Sequence, residues 1–271
     1  MRISCLQIAS PPVRDNEYPR RVCELLERAR GSDLIMLPEL WPIGYFAFEH
    51  YPSAAVAIGL QEVFIEQFSC KARELNAWLH LGSVIERDGE DCFNCSVLFD
   101  RTGKLVAKYR KIHLFGYESQ ERARLKPGGE IAVVDTDWGQ AGLAICYDLR
   151  FPELFRAMVD QGACIFLVAS AWPAARLDAW RLLVRTRALE NQALVIATNG
   201  CGTSAGIELA GHSMVIGPNG VPIKEAGADE EVMTVDIDPK ELLAARRTFP
   251  ALRDRVDFLN PNPFFIPANH A

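Results

Sequence analysis

No stretch of this chain stays apolar for the about 18–20 residues that a membrane-spanning helix needs, so no such helix is expected. A basic excess is missing too: 29 Lys and Arg face 35 Asp and Glu, a net charge of −6. That balance removes the electrostatic case for nucleic acid or an anionic membrane surface as a partner. Histidine is scarce. The five residues are spread singly, with no H-E-x-x-H or H-x-x-H pairing to seat a metal. The one C-x-x-C, "CFNC" at 92–95, has no second pair to complete a four-ligand zinc site, and it reads instead as strand packing. "KPGG" and "GPNG" read as turns, because neither opens a helix with the Lys-Ser/Thr of a phosphate loop. No cofactor and no metal are therefore expected. The N-terminal "MRISCLQIAS" alternates like a strand and lacks the longer apolar core of a signal peptide. Eight cysteines lie scattered at 5, 23, 70, 92, 95, 146, 164 and 201. A chain of 271 residues can bury its own core without a disulfide framework, so reduced thiols and a cytoplasmic location are expected.

What is present is a globular balance, 49% hydrophobic and 24% charged, with strand and helix patterns alternating in both halves. Residues 2–9 read as a strand, 15–31 as an amphipathic helix ending in Gly, and "DLIMLPEL" as an apolar strand stopped at Pro38-Glu39. A helix over about 53–75 follows, then the strands "WLHLGSVIE", "CSVLFD" and "KLVAKYRK". Beyond a polar loop at 116–130 come the strands "IAVVDT" and "GLAICY", a helix over about 152–161, and the strand "ACIFLVAS". A helix over 178–191 leads to "ALVIATN", a hairpin turning at Asn-Gly, the strand "EVMTVDID" and a short helix from Pro239. Several strands are apolar on both faces, which suggests sheets covered by helices in an α/β layered domain. No repeat or linker interrupts it. One domain is expected over 1–259, with a Pro-rich, partly apolar tail at 260–271 that drapes over a surface or a partner subunit.

Three strands end on a reactive side chain: "IMLPEL" on Glu39, "AKYRKIHLF" on Lys111 and "LAICYD" on Cys146. Strand ends hold loop residues rigidly, and function in layered α/β proteins collects there. A cysteine nucleophile needs a base for its proton and a cation or N–H donors for the oxyanion, and Glu, Lys and Cys supply those roles. Taken singly, each has a plainer reading. Cys146 could be a core thiol, Glu39 a solvated loop charge, and Lys111 an edge-strand charge that discourages aggregation. Spacing alone does not bring the three together.

The wording around them does more. "LPELWPIGY", "YRKIHLF" and "ICYDLRFPE", in that order, resemble the three catalytic motifs of the nitrilase superfamily of carbon–nitrogen hydrolases. The resemblance continues through "RTRALENQALV", "GHSMVIGPNGV" and "DIDPKELLAARRTFP", nearly the whole chain. It implies a four-layer α-β-β-α sandwich that commonly pairs into a homodimer or a higher homo-oligomer. It implies Glu39 as general base and acid, Cys146 as the nucleophile forming a thioester, and Lys111 with the Tyr147 N–H as oxyanion stabilisers. Related amidases carry a second glutamate six residues before a Pro-Gly pair, as Glu121 stands before Pro127-Gly128; Glu118 is the alternative. Cys-Tyr-Asp resembles amidases, whereas true nitrilases have Cys-Trp-Glu. "CYDLRFPE" and "SAWPAARLDAW" resemble omega-amidases and deaminated-glutathione amidases, which implies a small carboxylate-bearing amide such as a 2-oxo acid monoamide. N-carbamoyl amides and general aliphatic amides are the alternatives, and a non-catalytic binding member of the fold is a third. A substrate carboxylate calls for an arginine. Arg150 is the first candidate and Arg176 the second, against an ion pair of Arg150 with Asp148 or Glu153. Phe46, Trp172 and Tyr147 are candidate pocket walls. His113 is expected to hydrogen-bond structurally.

Overall fold

The computed structural model describes residues 1–11, 17–58 and 62–256. In chain order the elements begin with β1 (Arg2–Gln7), α1 (Tyr18–Glu27), β2 (Leu34–Met36) and α2 (Val63–Leu75). Then come β3 (Trp78–Asp88), β4 (Asp91–Phe99), β5 (Leu105–Arg110), the one-turn α3 (Glu121–Arg124), β6 (Val133–Thr136) and β7 (Gly139–Ile145). The second half carries α4 (Pro152–Asp160), β8 (Ile165–Ser170), α5 (Leu177–Asn191), β9 (Leu194–Asn199), β10 (Thr203–Ser204) and β11 (Ile207–Glu208). It closes with β12 (Met214–Ile216), β13 (Pro222–Glu225), β14 (Glu231–Asp236) and α6 (Pro239–Thr248).

Two six-stranded mixed sheets form, ordered β14-β1-β2-β3-β4-β5 and β13-β12-β9-β8-β7-β6. The period-2 geometry of a strand sorts their side chains. Ile35 of β2 and Leu37 just after it join Val22, Leu26, Phe68 and Ala72 of α1 and α2 in one core. Leu34 and Met36 point the other way and meet Leu143, Ile165 and Leu167 of the second sheet. The far face of that sheet packs Phe155 and Met158 of α4 and Trp180 and Val184 of α5 into the same core. The layers are thus helix, sheet, sheet, helix.

Two expectations need correction. The helix expected from 53 begins only at Val63, although "SAAVAIG" has helical composition. β2 is only three residues long and covers β3 from Trp78 to His80, leaving the edge beyond it open. Val56 takes that edge: its N–H donates to the Ile85 carbonyl at 2.9 Å, and its own carbonyl accepts from the Arg87 N–H at 2.8 Å. Tertiary pairing overrides local propensity here. The polar loop at 116–130 also contains α3, which carries Glu121. Within "CFNC", Cys92 and Cys95 are three residues apart on β4, so their side chains leave opposite faces and cannot converge on one ion. The expected tail at 260–271 lies outside the described residues.

Candidate active site

Glu39 follows β2 by three residues, in a loop clamped by β3. The Leu37 N–H donates to the His80 carbonyl at 3.0 Å, and the Ser83 N–H to the Pro38 carbonyl at 3.3 Å. Ser83 Oγ accepts from the Leu40 N–H at 3.1 Å. Gly82 makes this close approach possible: its φ is +68°, and a Cβ there would lie 2.0 Å from the Pro38 oxygen. Gly82→Ala is therefore expected to cost at least about 2 kcal/mol and to displace Glu39, checked by urea denaturation beside an activity assay.

Lys111 follows β5, and its N–H donates to the Asn94 carbonyl at 2.8 Å. The Lys111 carbonyl accepts from the Gly128 N–H at 2.9 Å, so the Pro-Gly pair docks on the lysine's own backbone. Cys146 follows β7 with φ at +46°, a left-handed turn that ends the strand and starts a 3₁₀ turn over Cys146–Arg150. Asp148 braces that turn. Its Oδ2 accepts from the Ile145 N–H at 2.8 Å and the Tyr109 hydroxyl at 2.8 Å. Its Oδ1 accepts from the His113 N–H at 3.2 Å and lies 2.7 Å from His113 Nδ1. The His113 ring stacks on Phe151 at 3.7 Å, so His113 acts on the turn through hydrogen bonding and stacking.

The three strand ends converge. Lys111 Nζ, fully buried, donates to Glu39 Oε1 at 2.8 Å and to Glu121 Oε1 and Oε2 at 2.9 and 3.1 Å. The Cys146 thiol interacts with the Glu39 side chain. Of the two candidate second glutamates, Glu121 reaches Lys111, while Glu118 stands exposed on the cavity rim. Asn94, which sequence reasoning passed over, ties the carboxylates together by donating through Nδ2 to Glu39 at 2.8 Å and Glu121 at 3.0 Å. Tyr45 was missed as well; its hydroxyl donates to Glu121 Oε2 at 3.1 Å. The usable signal for Asn94 was a polar residue inside the apolar run of β4.

The electrostatics suit proton transfer. Burial pushes the Glu39 carboxyl up, against the pull of Lys111, which makes it a stronger base. Burial also pushes the Cys146 thiol up, and the Glu39 charge adds to that, so sulfur rests as the thiol. Burial works against the Lys111 ammonium, but Glu121 and Glu39 outweigh it and hold the lysine well above its ordinary value. The arrangement can take a proton from sulfur to a carboxylate while a fixed cation faces the reacting carbon.

Cys146 opens on a cavity of about 280 Å³ whose walls include Phe46, Phe115, Tyr147, Trp172, Arg150 and Arg176. All five sequence-derived substrate candidates thus lie around one space. Asp148 is occupied by His113 and Tyr109, and among the described residues Arg150 forms no ion pair with it or with Glu153. The Arg150 guanidinium instead lies over the Trp172 ring at 5.4 Å, and that of Arg176 lies over Phe115 at 5.3 Å and Tyr117 at 5.6 Å.

Residues 2–247 match the sequence profile of the carbon–nitrogen hydrolase family. The chain belongs to that family. A carbon–nitrogen hydrolase of this kind acts on bonds other than peptide bonds. The chain is 37% identical over 243 residues to a 2-oxoglutaramate amidase of Paenarthrobacter nicotinovorans, covering 87% of this chain and 82% of that one. A 2-oxoglutaramate amidase of Bacillus subtilis is 32% identical, covering 93% and 96%. Among solved structures, Saccharomyces cerevisiae Nit3, a member of branch 10 of the nitrilase superfamily, superposes with a TM-score of 0.86 at 28% identity, covering 92% and 94%. The carbon–nitrogen hydrolase shares with that neighbour the four-layer α-β-β-α fold described above.

Proposed function

We propose that this hydrolase cleaves the terminal amide of a small 2-oxo acid monoamide of the 2-oxoglutaramate type, releasing ammonia through a cysteine thioester. The observation that carries the substrate class is the pair of guanidiniums, Arg150 and Arg176, that share the Cys146 cavity. Neither has a carboxylate partner among the described residues, so both are available to a substrate carboxylate. The two bacterial relatives named 2-oxoglutaramate amidase support the same reading.

In this reaction Glu39 takes the Cys146 proton as sulfur attacks the amide carbon. Lys111 and the Tyr147 N–H stabilise the oxyanion, and Glu121 positions Lys111 and the amide. The tetrahedral intermediate collapses to a thioester, and Glu39 hands its proton to the departing ammonia. Water activated by Glu39 then attacks the thioester, and the acid leaves with the thiol restored. Phe46 and Trp172 wall the acyl chain. The reading includes a reducing, cytoplasmic compartment, supported by eight free thiols. It also includes a homodimer, supported by the family resemblance and by the exposed Leu182 and Leu189 on α5.

Arg150→Ala and Arg176→Ala are each expected to lower kcat/KM for 2-oxoglutaramate by about 10–100-fold and to leave a neutral aliphatic amide nearly unchanged. The measurement is ammonia release over 2-oxo acid monoamides, deaminated glutathione, N-carbamoyl amino acids and aliphatic amides. Equal losses on charged and neutral amides would remove the carboxylate grip. Preferential turnover of N-carbamoyl amino acids would move the enzyme to that class.

A further inference from the structure

Ser170 is the last residue of the fully buried β8 and stands between Ala169 and Ala171. β7 and β8 run parallel with Ile145 opposite Ala169, so the next step along both chains sets Ser170 beside Cys146. The serine is fully buried, and its Oγ has no hydrogen-bond partner among the described residues. A buried hydroxyl left unpaired costs stability, and native proteins retain few of them without a use. Two polar groups beside it are occupied. The Ser170 carbonyl accepts from the Glu39 N–H at 3.3 Å and the Gly200 N–H at 3.0 Å. Asn199 Oδ1, on the adjoining strand, accepts from the Trp172 N–H at 2.7 Å. Ser170 Oγ is thus an unpartnered hydroxyl one register step from the Cys146 sulfur.

We propose that the Ser170 hydroxyl is a further catalytic group, an O–H donor held in reserve for the ionised sulfur of Cys146. A neutral thiol is a weak acceptor, so the resting sulfur gives the hydroxyl no strong partner. As the proton passes from Sγ to Glu39, sulfur becomes a thiolate, and a hydrogen bond to an ionised acceptor is about twice as strong as a neutral one. Sulfur's electron pair then forms the C–S bond, and Ser170 keeps its own proton throughout. When water later attacks the thioester, the same C–S bond breaks with its electrons on sulfur, and the hydroxyl stabilises that leaving group. The Ser170 side chain and the Ala171 N–H both act to lower the Cys146 thiol against the larger upward push of burial. The titratable and charged groups facing the sulfur are Glu39 and Lys111, with Glu121 and the neutral Tyr45 behind them and Arg150, Arg176 and Glu118 around the cavity. The substitution Ser170→Ala leaves all of these in place.

The inference rests on the reading of Cys146 as nucleophile, and the two can fail separately. The test is the pH dependence of alkylation by iodoacetamide, followed at the Cys146-containing peptide, together with steady-state kinetics. Ser170→Ala is expected to slow alkylation at neutral pH about tenfold and to raise its pH midpoint by about one unit. It should lower kcat while leaving KM near the wild-type value, and its melting temperature should equal or exceed that of the wild type. An unchanged alkylation profile in the folded variant overturns the proposal, even if Cys146→Ala is inactive. A variant that melts lower or fails to fold overturns it too, because the hydroxyl would then have a structural partner. Thr198 supplies the control, since its Oγ1 is equally buried and unpartnered. Thr198→Val should leave the profile unmoved, and a matching shift there would assign the effect to packing.

Discussion

Replacing Lys111 with methionine is expected to cost about 3–5 kcal/mol of stability and to lower kcat about 100–1,000-fold or more. The ammonium is fully buried between Glu39 and Glu121, with contacts at 2.8 and 2.9 Å, and its removal leaves two carboxylates facing each other across Asn94. The pH dependence follows from linkage. Glu39 is already pushed up by burial, and the variant removes the cation that opposes that push. A carboxyl raised in the folded state favours folding only while it is protonated. Its contribution is therefore full below the unfolded value and fades as pH rises through the folded one. The variant should thus be most stable in mild acid and lose more stability toward pH 8 than the wild type does. Urea denaturation at two pH values measures this. A variant as stable as the wild type at pH 8 would mean that the lysine is not the counter-charge its geometry describes.

Glu39→Gln and Cys146→Ala are expected to abolish ammonia release, each by a factor of about 10⁴ or more. The reason is mutual dependence: the thiol is pushed up by burial and rests protonated, so it needs the base at the moment of attack. Without the sulfur, the base has no proton to take. The double variant should therefore be no slower than the slower single one, since groups acting as a unit are not additive. Glutamine keeps the shape of Glu39 and can turn its one oxygen to the Lys111 Nζ and Asn94 Nδ2 donors, giving up only the bond from the Ala171 N–H, so folding should survive. Ammonia release by either single variant at wild-type rate would sink the mechanism. Intact mass spectrometry after mixing with substrate should show an acyl adduct on the wild type and none on Cys146→Ala.

Much of this architecture is legible in the residues. The period-2 alternation of "LIML" sends Leu34 and Met36 to the second sheet and Ile35 and Leu37 to the helices, and any strand of that pattern must do so. The motif stretches placed Glu39, Lys111 and Cys146 at strand ends, and the spacing of Glu121 to Pro127-Gly128 corresponds to the docking of Gly128 on the Lys111 backbone. Val56 was not legible. Its segment has helical composition and was captured by an open strand edge that exists only because β2 is short. Asn94 and Ser170 were legible only as polar residues inside apolar runs, not in what they meet. A polar residue within an apolar run reads the same whether it meets solvent, a partner strand or a reacting centre.

What the sequence determined by itself is the inventory and its order: alternating strands and helices, three reactive residues at strand ends, and arginines that follow Cys146 along the chain. Each of these depends on neighbours a few positions away, where backbone periodicity and local sterics act. Only the tertiary structure decided which charges are paired and which are left open. Asp148 is taken by His113 and Tyr109, so Arg150 faces the cavity, and Glu121 rather than Glu118 closes on Lys111. Those outcomes turn on distances of a few ångströms between segments far apart in the chain. Burial then sets the strength of every charge among them, because the dielectric around a group is a property of the packed molecule and not of its sequence neighbours.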